Sequence, residues 1–242
     1  MAILAILFVG CSTSSDDNSN STALNLPGPN ISDIDGNTYQ SVIIGGQTWV
    51  KQNLNVSKYS DGTPIPEVTD PNEWNNLTTG AWCYYNNDPA NGPIYGKLYN
   101  WYAVAGIYDE DSAYDTTLRK TLAPIGWHIP SNSECICDSE WTKLINFLGG
   151  KFVAGGKLKE EGTLHWQSPN TATNISGFTA LPGGNRGNFG AFENITNEAE
   201  FWTSSESDFS SAWFVSMYND LIFIDLASNH KNIGYSVRCI KD

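Results

Sequence analysis

The chain has 242 residues and carries 26 acidic against 13 basic side chains, a formal charge of −13, which excludes sequence-independent binding to phosphate backbones, since that needs clustered Lys and Arg; nucleic acid is not an expected partner. Nine Trp, eleven Tyr and ten Phe against two Met, with 22 Gly, describe rigid aromatics joined by turns, so the expected fold class is α+β or β-rich rather than a helical bundle. The length suits one large domain with a substantial core.

Residues 1–10 are apolar and end at Cys11, after which residues 12–20 are polar. The run is too short to span a bilayer, which takes about 20 apolar residues, and small Gly10 before Cys11 suits a lipoprotein signal whose cleavage leaves Cys11 as the acylated N-terminus. The run lacks Lys and Arg and has Phe8 three positions before the cysteine, so Met1 reads as a start placed slightly late. Residues 11–30 are expected to be the lipidated cysteine and a flexible linker, being rich in Ser, Asn and Asp without hydrophobic periodicity and closing on Pro27-Gly28-Pro29. Residues 31–242 are expected to form the single domain.

Asp35-Gly36 and Gly45-Gly46 are hairpin signals, predicting two or three strands over 31–50. Asp33, Asp35 and Asn37 suggest a calcium loop, but the sixth and twelfth positions of an EF-hand fall on Thr38 and Ile44, so a turn is expected. Residues 56–105 hold Pro, Asn, Asp, Gly and aromatics without periodicity and read as structured loop. A helix over 140–148 places Trp141, Leu144, Ile145 and Leu148 on one face, with Ser131 or Ser133 as its cap and Gly149-Gly150 as its stop. A weaker helix is expected over 151–160, and strands over 199–203, 212–216, 221–226 and 235–240.

Beyond Cys11 stand Cys83, Cys135, Cys137 and Cys239, an even number in a chain that reads as exported. Three full pairings are open, but one residue separates Cys135 from Cys137 and so small a ring is strained. The favoured disulfide is Cys83 with Cys239, a long loop whose closure is worth roughly 4 to 5 kcal/mol in the chain-entropy model. Cys135 and Cys137 are left as a free dithiol, a strained disulfide, a soft-metal site or a plain loop insertion. His128, His165 and His230 are too scattered for a zinc signature.

Several motifs in one order carry a resemblance: Asp35-Gly36-Asn37-Thr38-Tyr39, Gly45-Gly46-Gln47-Thr48-Trp49, Tyr85-Asn86-Asn87-Asp88, Tyr95-Gly96-Lys97-Leu98-Tyr99-Asn100-Trp101, Gly126-Trp127-His128, Pro182-Gly183-Gly184-Asn185-Arg186, Phe201-Trp202-Thr203 and Gly234-Tyr235-Ser236-Val237-Arg238-Cys239. The chain resembles the Fibrobacter succinogenes major paralogous domain family over residues 33–242. The resemblance implies a bacterial surface or periplasmic protein, often lipidated, with no established enzymatic activity. More distantly, Gly126-Trp127-His128-Ile129-Pro130 leading to Glu140-Trp141, with the closing Tyr235–Cys239 segment, is similar to the formylglycine-generating-enzyme branch of the C-type-lectin-like fold. That layout implies a small twisted antiparallel sheet, one or two helices, long structured loops and adjacent termini, interrupted here at residues 134–139.

Three kinds of chemistry follow. The oxidases of that branch use a thiol pair with copper, but their thiols lie late in the domain, whereas Cys135 and Cys137 precede the main helix, so an oxidase-like enzyme ranks third. Asn219 and Asp220, with the Gln167–Asn170 loop, are similar to elements of calcium-dependent lectins, yet an ordinary turn is the leading reading and no cofactor is expected. Aromatics interleaved with amides around residues 82–88, 99–102 and 185–192 suit sugar stacking, giving Trp82, Asn87, Asp88, Trp101 and Arg186 as ligand-binding candidates. The leading expectation is a non-enzymatic outer-membrane lipoprotein that binds an extracellular ligand, a glycan ahead of a surface protein. A structural subunit of a pilus or adhesin is the alternative. The acidic residues 12–17 resemble a surface-export tag, with the periplasmic face as the other placement.

Overall fold

Glycine turns and short strands build the N-terminal part of the fold, seen in a computed structural model that describes residues 25–132 and 139–242. The expectations for the signal, for Cys11 and for Cys135 and Cys137 lie outside the described residues. Strands β1 (Leu26–Pro27), β2 (Ile31–Ser32), β3 (Thr38–Tyr39), β4 (Ser41–Ile44) and β5 (Gln47–Val50) include the two expected hairpins, β2–β3 and β4–β5. The Asp33 carboxylate accepts from the N–H groups of Asp35 and Asn37 at 3.0 and 2.9 Å and from the Tyr39 hydroxyl at 2.5 Å, so the loop closes on its own donors as an Asx turn does. The linker expectation needs correction at its end. Leu26 and Pro27 pair with Ile43 and Val42, and Gly28 N–H donates to the Ser41 carbonyl at 3.0 Å; a Cβ on Gly28 would collide with the Ser41 hydroxyl, so glycine permits the approach.

The loop-rich middle holds only short elements: α1 (Pro71–Asn75), β6 (Trp82–Cys83), α2 (Gly92–Tyr95), β7 (Leu98–Tyr99), α3 (Trp101–Val104), α4 (Glu110–Tyr114) and β8 (Trp127–His128). Helix α5 (Glu140–Phe147) buries Trp141, Leu144, Ile145 and Leu148, the expected face. Its cap is Ser139, whose hydroxyl accepts from Thr142 N–H; Ser131 instead donates its hydroxyl to the Glu140 carboxylate, and Ser133 lies outside the described residues. Gly149 and Gly150 end the helix by donating to the carbonyls of Asn146 and Ile145. Helix α6 (Lys151–Leu158) keeps glycine at 155 because a Cβ there would strike the Phe223 carbonyl.

After α6 come β9 (Asn185–Arg186), β10 (Phe192–Glu193), β11 (Glu198–Glu206), β12 (Ser211–Tyr218), β13 (Ile224–His230) and β14 (Ile240–Lys241). The sheet β1-β4-β5-β14-β8 brings the last strand between β5 and β8, while β11-β12-β13 forms a separate antiparallel meander. The expected strand over 221–226 starts later, at Ile224, because the carbonyls of Leu221 and Ile222 serve Lys159 and Gly156 of the helical layer instead of a ladder. The expected strand over 235–240 is mostly isolated bridges, Tyr235 to Tyr99 and Ser236 to Phe201. The architecture is mixed α+β with several small antiparallel sheets and few helices.

Alternation along β11 places Ala199 and Phe201 toward α5 and Trp202 toward Tyr235. The first side is an aromatic cluster in which Trp141 meets Trp49, Phe178 and Phe201 at ring separations of 4.8, 5.7 and 6.0 Å.

The expected disulfide is absent: Cys83 and Cys239 are both free thiols, buried in separate clusters. Burial pushes both up to about 12, partly offset by the neighbouring Arg186 and Arg238. They behave as small core residues.

Trp141→Ala should lower stability by about 3 to 5 kcal/mol, whereas Phe152→Ala, at a side chain 73% exposed, should stay within about 0.5 kcal/mol. Urea denaturation of both variants checks the difference; equal effects would contradict this core assignment.

Candidate ligand cleft

The sequence-based candidates do not form one surface. Trp82 and Trp101 are buried, and their indole N–H groups donate to the carbonyls of Ile65 at 2.8 Å and Thr203 at 3.0 Å. Arg186 is fully buried, donating to the carbonyls of Val68 and Thr69 at 2.5 and 2.8 Å with its guanidinium 4.4 Å from the Trp74 ring centre. These three are therefore structural, because both indole N–H groups and both terminal nitrogens of the guanidinium already donate to backbone carbonyls. Asn87 and Asp88 are exposed, but they brace the loop: Asn87 ties it to the Thr69 carbonyl at 3.3 Å, and Asp88 accepts from Ala90 N–H at 2.9 Å.

The lectin-like pair of segments does meet. Asn219 Nδ2 donates weakly to the carbonyls of Gln167 and Pro169 at 3.4 and 3.3 Å. The oxygens that converge there receive an ammonium: Lys159 Nζ donates to the carbonyls of Tyr218, Asn219 and Leu221 at 2.5, 2.8 and 2.9 Å and to Thr171 Oγ1 at 3.1 Å. Burial drops Lys159 to about 8. Asp220 is exposed on the same turn. Among the described residues no group of three or more His, Cys, Asp or Glu is arranged to hold a metal. His128 contacts Asp242 and Glu140 at 2.7 and 2.8 Å, while His165 contacts Glu160 at 2.8 Å.

A cleft of about 340 Å³ lies where the β9–β10 hairpin faces β11, β12 and the Tyr235 segment. Consecutive strand residues point to opposite faces; as Arg186 turns inward to Trp74, Asn185 turns toward Glu200 and donates to its Oε2 at 2.7 Å. Gly184, with φ of +61°, passes so close to the Glu193 carbonyl that a Cβ could not fit. Gly184 N–H donates to the Glu198 carbonyl at 3.1 Å, which sets the hairpin against β11. Its loop, closed by Gly187 N–H to Ala191 O at 2.7 Å, presents Phe189 at the rim, 77% exposed.

The opposite wall is aromatic. The Tyr235 ring stacks on Phe214 at 4.7 Å and meets Trp202 edge-on at 4.7 Å, and its hydroxyl accepts from Asn229 Nδ2 at 3.0 Å beside the Glu200 carboxyl. Glu200 is 5% exposed, and burial pushes it up to about 8, opposed by the Asn185 hydrogen bond and reinforced by Glu198 and Glu193. Burial likewise raises Glu198. At neutral pH Glu200 is mainly a neutral acid able both to donate and to accept. The cleft thus combines an aromatic wall, four Asn amides, the phenols of Tyr218 and Tyr235, the Glu193 carboxyl and the uncharged Glu200.

Residues 42–241 match the model of the Fibrobacter succinogenes major domain. The chain belongs to this family. No curated protein and no solved structure matches it. Within the family domain, Asn185 and Tyr235 stand in two of the motifs that carried the sequence resemblance, whereas Glu200 was missed. Its signal was a single acid inside the apolar run Ala199-Glu200-Phe201-Trp202, at a strand position sharing the face of Trp202.

Because folded Glu200 holds a proton that the unfolded chain gives up near 4.5, its contribution to stability is complete below 4.5 and is lost as pH rises toward about 8. Glu200→Gln, which cannot ionise, should match the wild type near pH 4 and become more stable than it by on the order of 4 kcal/mol at pH 8. Denaturant melts across that range check this; parallel profiles would contradict it.

Proposed function

We propose that this domain is a non-enzymatic, lipid-anchored surface module that binds an extracellular glycan in the Glu200 cleft. The observation that carries the reading is the composition of the lining: Asn185, Asn229, Tyr235 and an uncharged Glu200 offer donors and acceptors suited to hydroxyls, while Phe189 and Phe214 offer apolar ring surface. Sugar faces pack on aromatic rings and sugar hydroxyls need short, directional partners. The cleft replaces the expected set of Trp82, Trp101 and Arg186, and it requires no cation. The assembly-subunit reading stands second, since exposed Tyr114, Ile125, Phe152, Leu164 and Phe209 come from separate segments of the chain.

The finer assignment, a C-type-lectin-like domain, is part of this proposal; it is supported by β14 lying between β5 and β8, which sets the closing segment beside the opening hairpins. The anchor at Cys11 would present the cleft outside the cell, on the outer membrane. No helix among the described residues is long and apolar enough to cross a membrane.

A glycan array probed with the full chain carrying Cys11→Ser should give saturable capture. Phe189→Ala and Asn229→Ala should each weaken it by about tenfold, or 1.4 kcal/mol, without lowering the melting temperature much. Absence of capture on the array, or capture indifferent to both substitutions, would overturn the reading.

A further inference from the structure

The buried charges of this chain are unevenly partnered. Five cations are buried among the described residues: Lys97, Lys159, Arg186, Lys231 and Arg238. Each is caged by oxygens and lies over an aromatic ring, as when Lys97 donates to the Asn55 carbonyl at 2.6 Å, 4.5 Å from the Trp82 ring centre. Only one acid is buried, Glu200, and no lysine, arginine or histidine among the described residues pairs with it. It faces a cavity whose lining contains no Lys or Arg. The charged and titratable groups around it are Glu198 on its own strand, Glu193 on β10, Tyr218 on β12 and Tyr235 on the closing segment, all acidic or phenolic. A buried acid in aromatic surroundings without a cation is the complement of the five cages.

We propose that the Glu200 cleft selects sugars carrying a free amine, a deacetylated hexosamine in preference to its N-acetylated form, with the ligand's ammonium supplying the cation that Glu200 lacks. The inference rests on the glycan-binding reading above. An ammonium offers three donors and no acceptor, which suits a site whose Asn229 amide already donates to Tyr235 and whose Asn185 amide already donates to Glu200. The Phe214 and Tyr235 rings add cation–π attraction in a partly desolvated space. Anionic sugars are disfavoured, because Glu193 on the lining would face their carboxylates and no Lys or Arg lines the cavity to compensate.

Binding is coupled to one proton. In the free protein below pH 8 the Glu200 carboxyl is mainly protonated. When the ligand enters as its ammonium, the carboxyl O–H bond breaks, the proton passes to solvent, and an N–H···O ion pair takes its place; when it enters as the free amine, the same proton passes to its nitrogen and none is released. Affinity for the amine then exceeds that for the amide by the strength of the ion pair less the cost of ionising Glu200 and desolvating the ammonium.

Isothermal titration of the full chain carrying Cys11→Ser, with a glucosamine tetramer and an N-acetylglucosamine tetramer at about pH 5.5, where the amines are charged and Glu200 is still protonated, in two buffers of different ionisation enthalpy, tests this. The amine tetramer should bind about tenfold tighter or more and release a proton to the buffer, and the acetylated tetramer should release none. Glu200→Gln should abolish both the preference and the release, with the melting temperature checking that the variant is folded; the wild-type comparison stands without it. Equal or tighter binding of the acetylated tetramer, capture of other glycans but of neither tetramer, or amine binding without proton release overturns the amine inference and leaves glycan binding in place. Failure to capture any glycan overturns both.

Discussion

Buried cations held by backbone carbonyls, rather than by carboxylates, are the constraint on which the rest of this structure depends. Arg238 is fully buried and donates to Asn53 Oδ1 and to the carbonyls of Val50, Phe178 and Thr179, at 2.7 to 3.0 Å, with its guanidinium 4.7 Å from the Phe178 ring centre. Lys97, Lys159 and Arg186 are held in the same manner, and Lys231 adds the Glu206 carboxylate. A chain with short strands and long loops leaves many carbonyls without a ladder partner, and an orphaned buried carbonyl is costly. One guanidinium satisfies several at once and ties together segments far apart in sequence. The desolvation shows in the titration of the cations themselves: burial brings Lys159 to about 8 and Arg238 to about 9.

This constraint explains which motifs are structural. The Arg of Asn185-Arg186 and the Arg of Val237-Arg238 both lock loops to the aromatic core, so neither is available to a ligand. The residue beside Arg186 inherits the opposite orientation from strand alternation, and Asn185 thereby reaches Glu200. The cage and the cleft share the hairpin: Arg186 ties it to Val68 and Thr69, while Gly184 N–H to the Glu198 carbonyl and Asn185 to Glu200 set it against β11. Glu200 then stands out as the buried acid, held mainly neutral, that the described residues leave without a basic partner.

Local chemistry made much of the architecture legible. Helix α5 follows from apolar positions 141, 144, 145 and 148 bounded by Gly149-Gly150, and the early hairpins from Asp35-Gly36 and Gly45-Gly46, because these signals act within a few residues. The family was legible too, from ordered motifs. The misreadings share a cause, for each depended on long-range partners. Arg186 and Trp101 look the same in sequence whether they face a sugar or a carbonyl more than 100 residues away. Pairing Cys83, beside a family-like loop motif, with Cys239, at the end of the closing strand, is a reading of sequence position, and burial in different clusters keeps the two apart. Residues 25–30 have a linker's composition and still dock, because backbone pairing asks little of side chains. Glu200 was hidden by its neighbours, as an acid within an apolar strand attracts notice only when its face is known.

The most direct test of the caged-cation account is the hydrogen exchange of the Arg238 guanidinium, followed by nitrogen-detected magnetic resonance on the full chain carrying Cys11→Ser. The structure predicts an Nε–H and resolved Nη–H signals that are shifted by the Phe178 and Phe201 rings and that persist in D2O as long as the most protected backbone amides. A single averaged Nη signal that exchanges at once, as a hydrated arginine does, would contradict it.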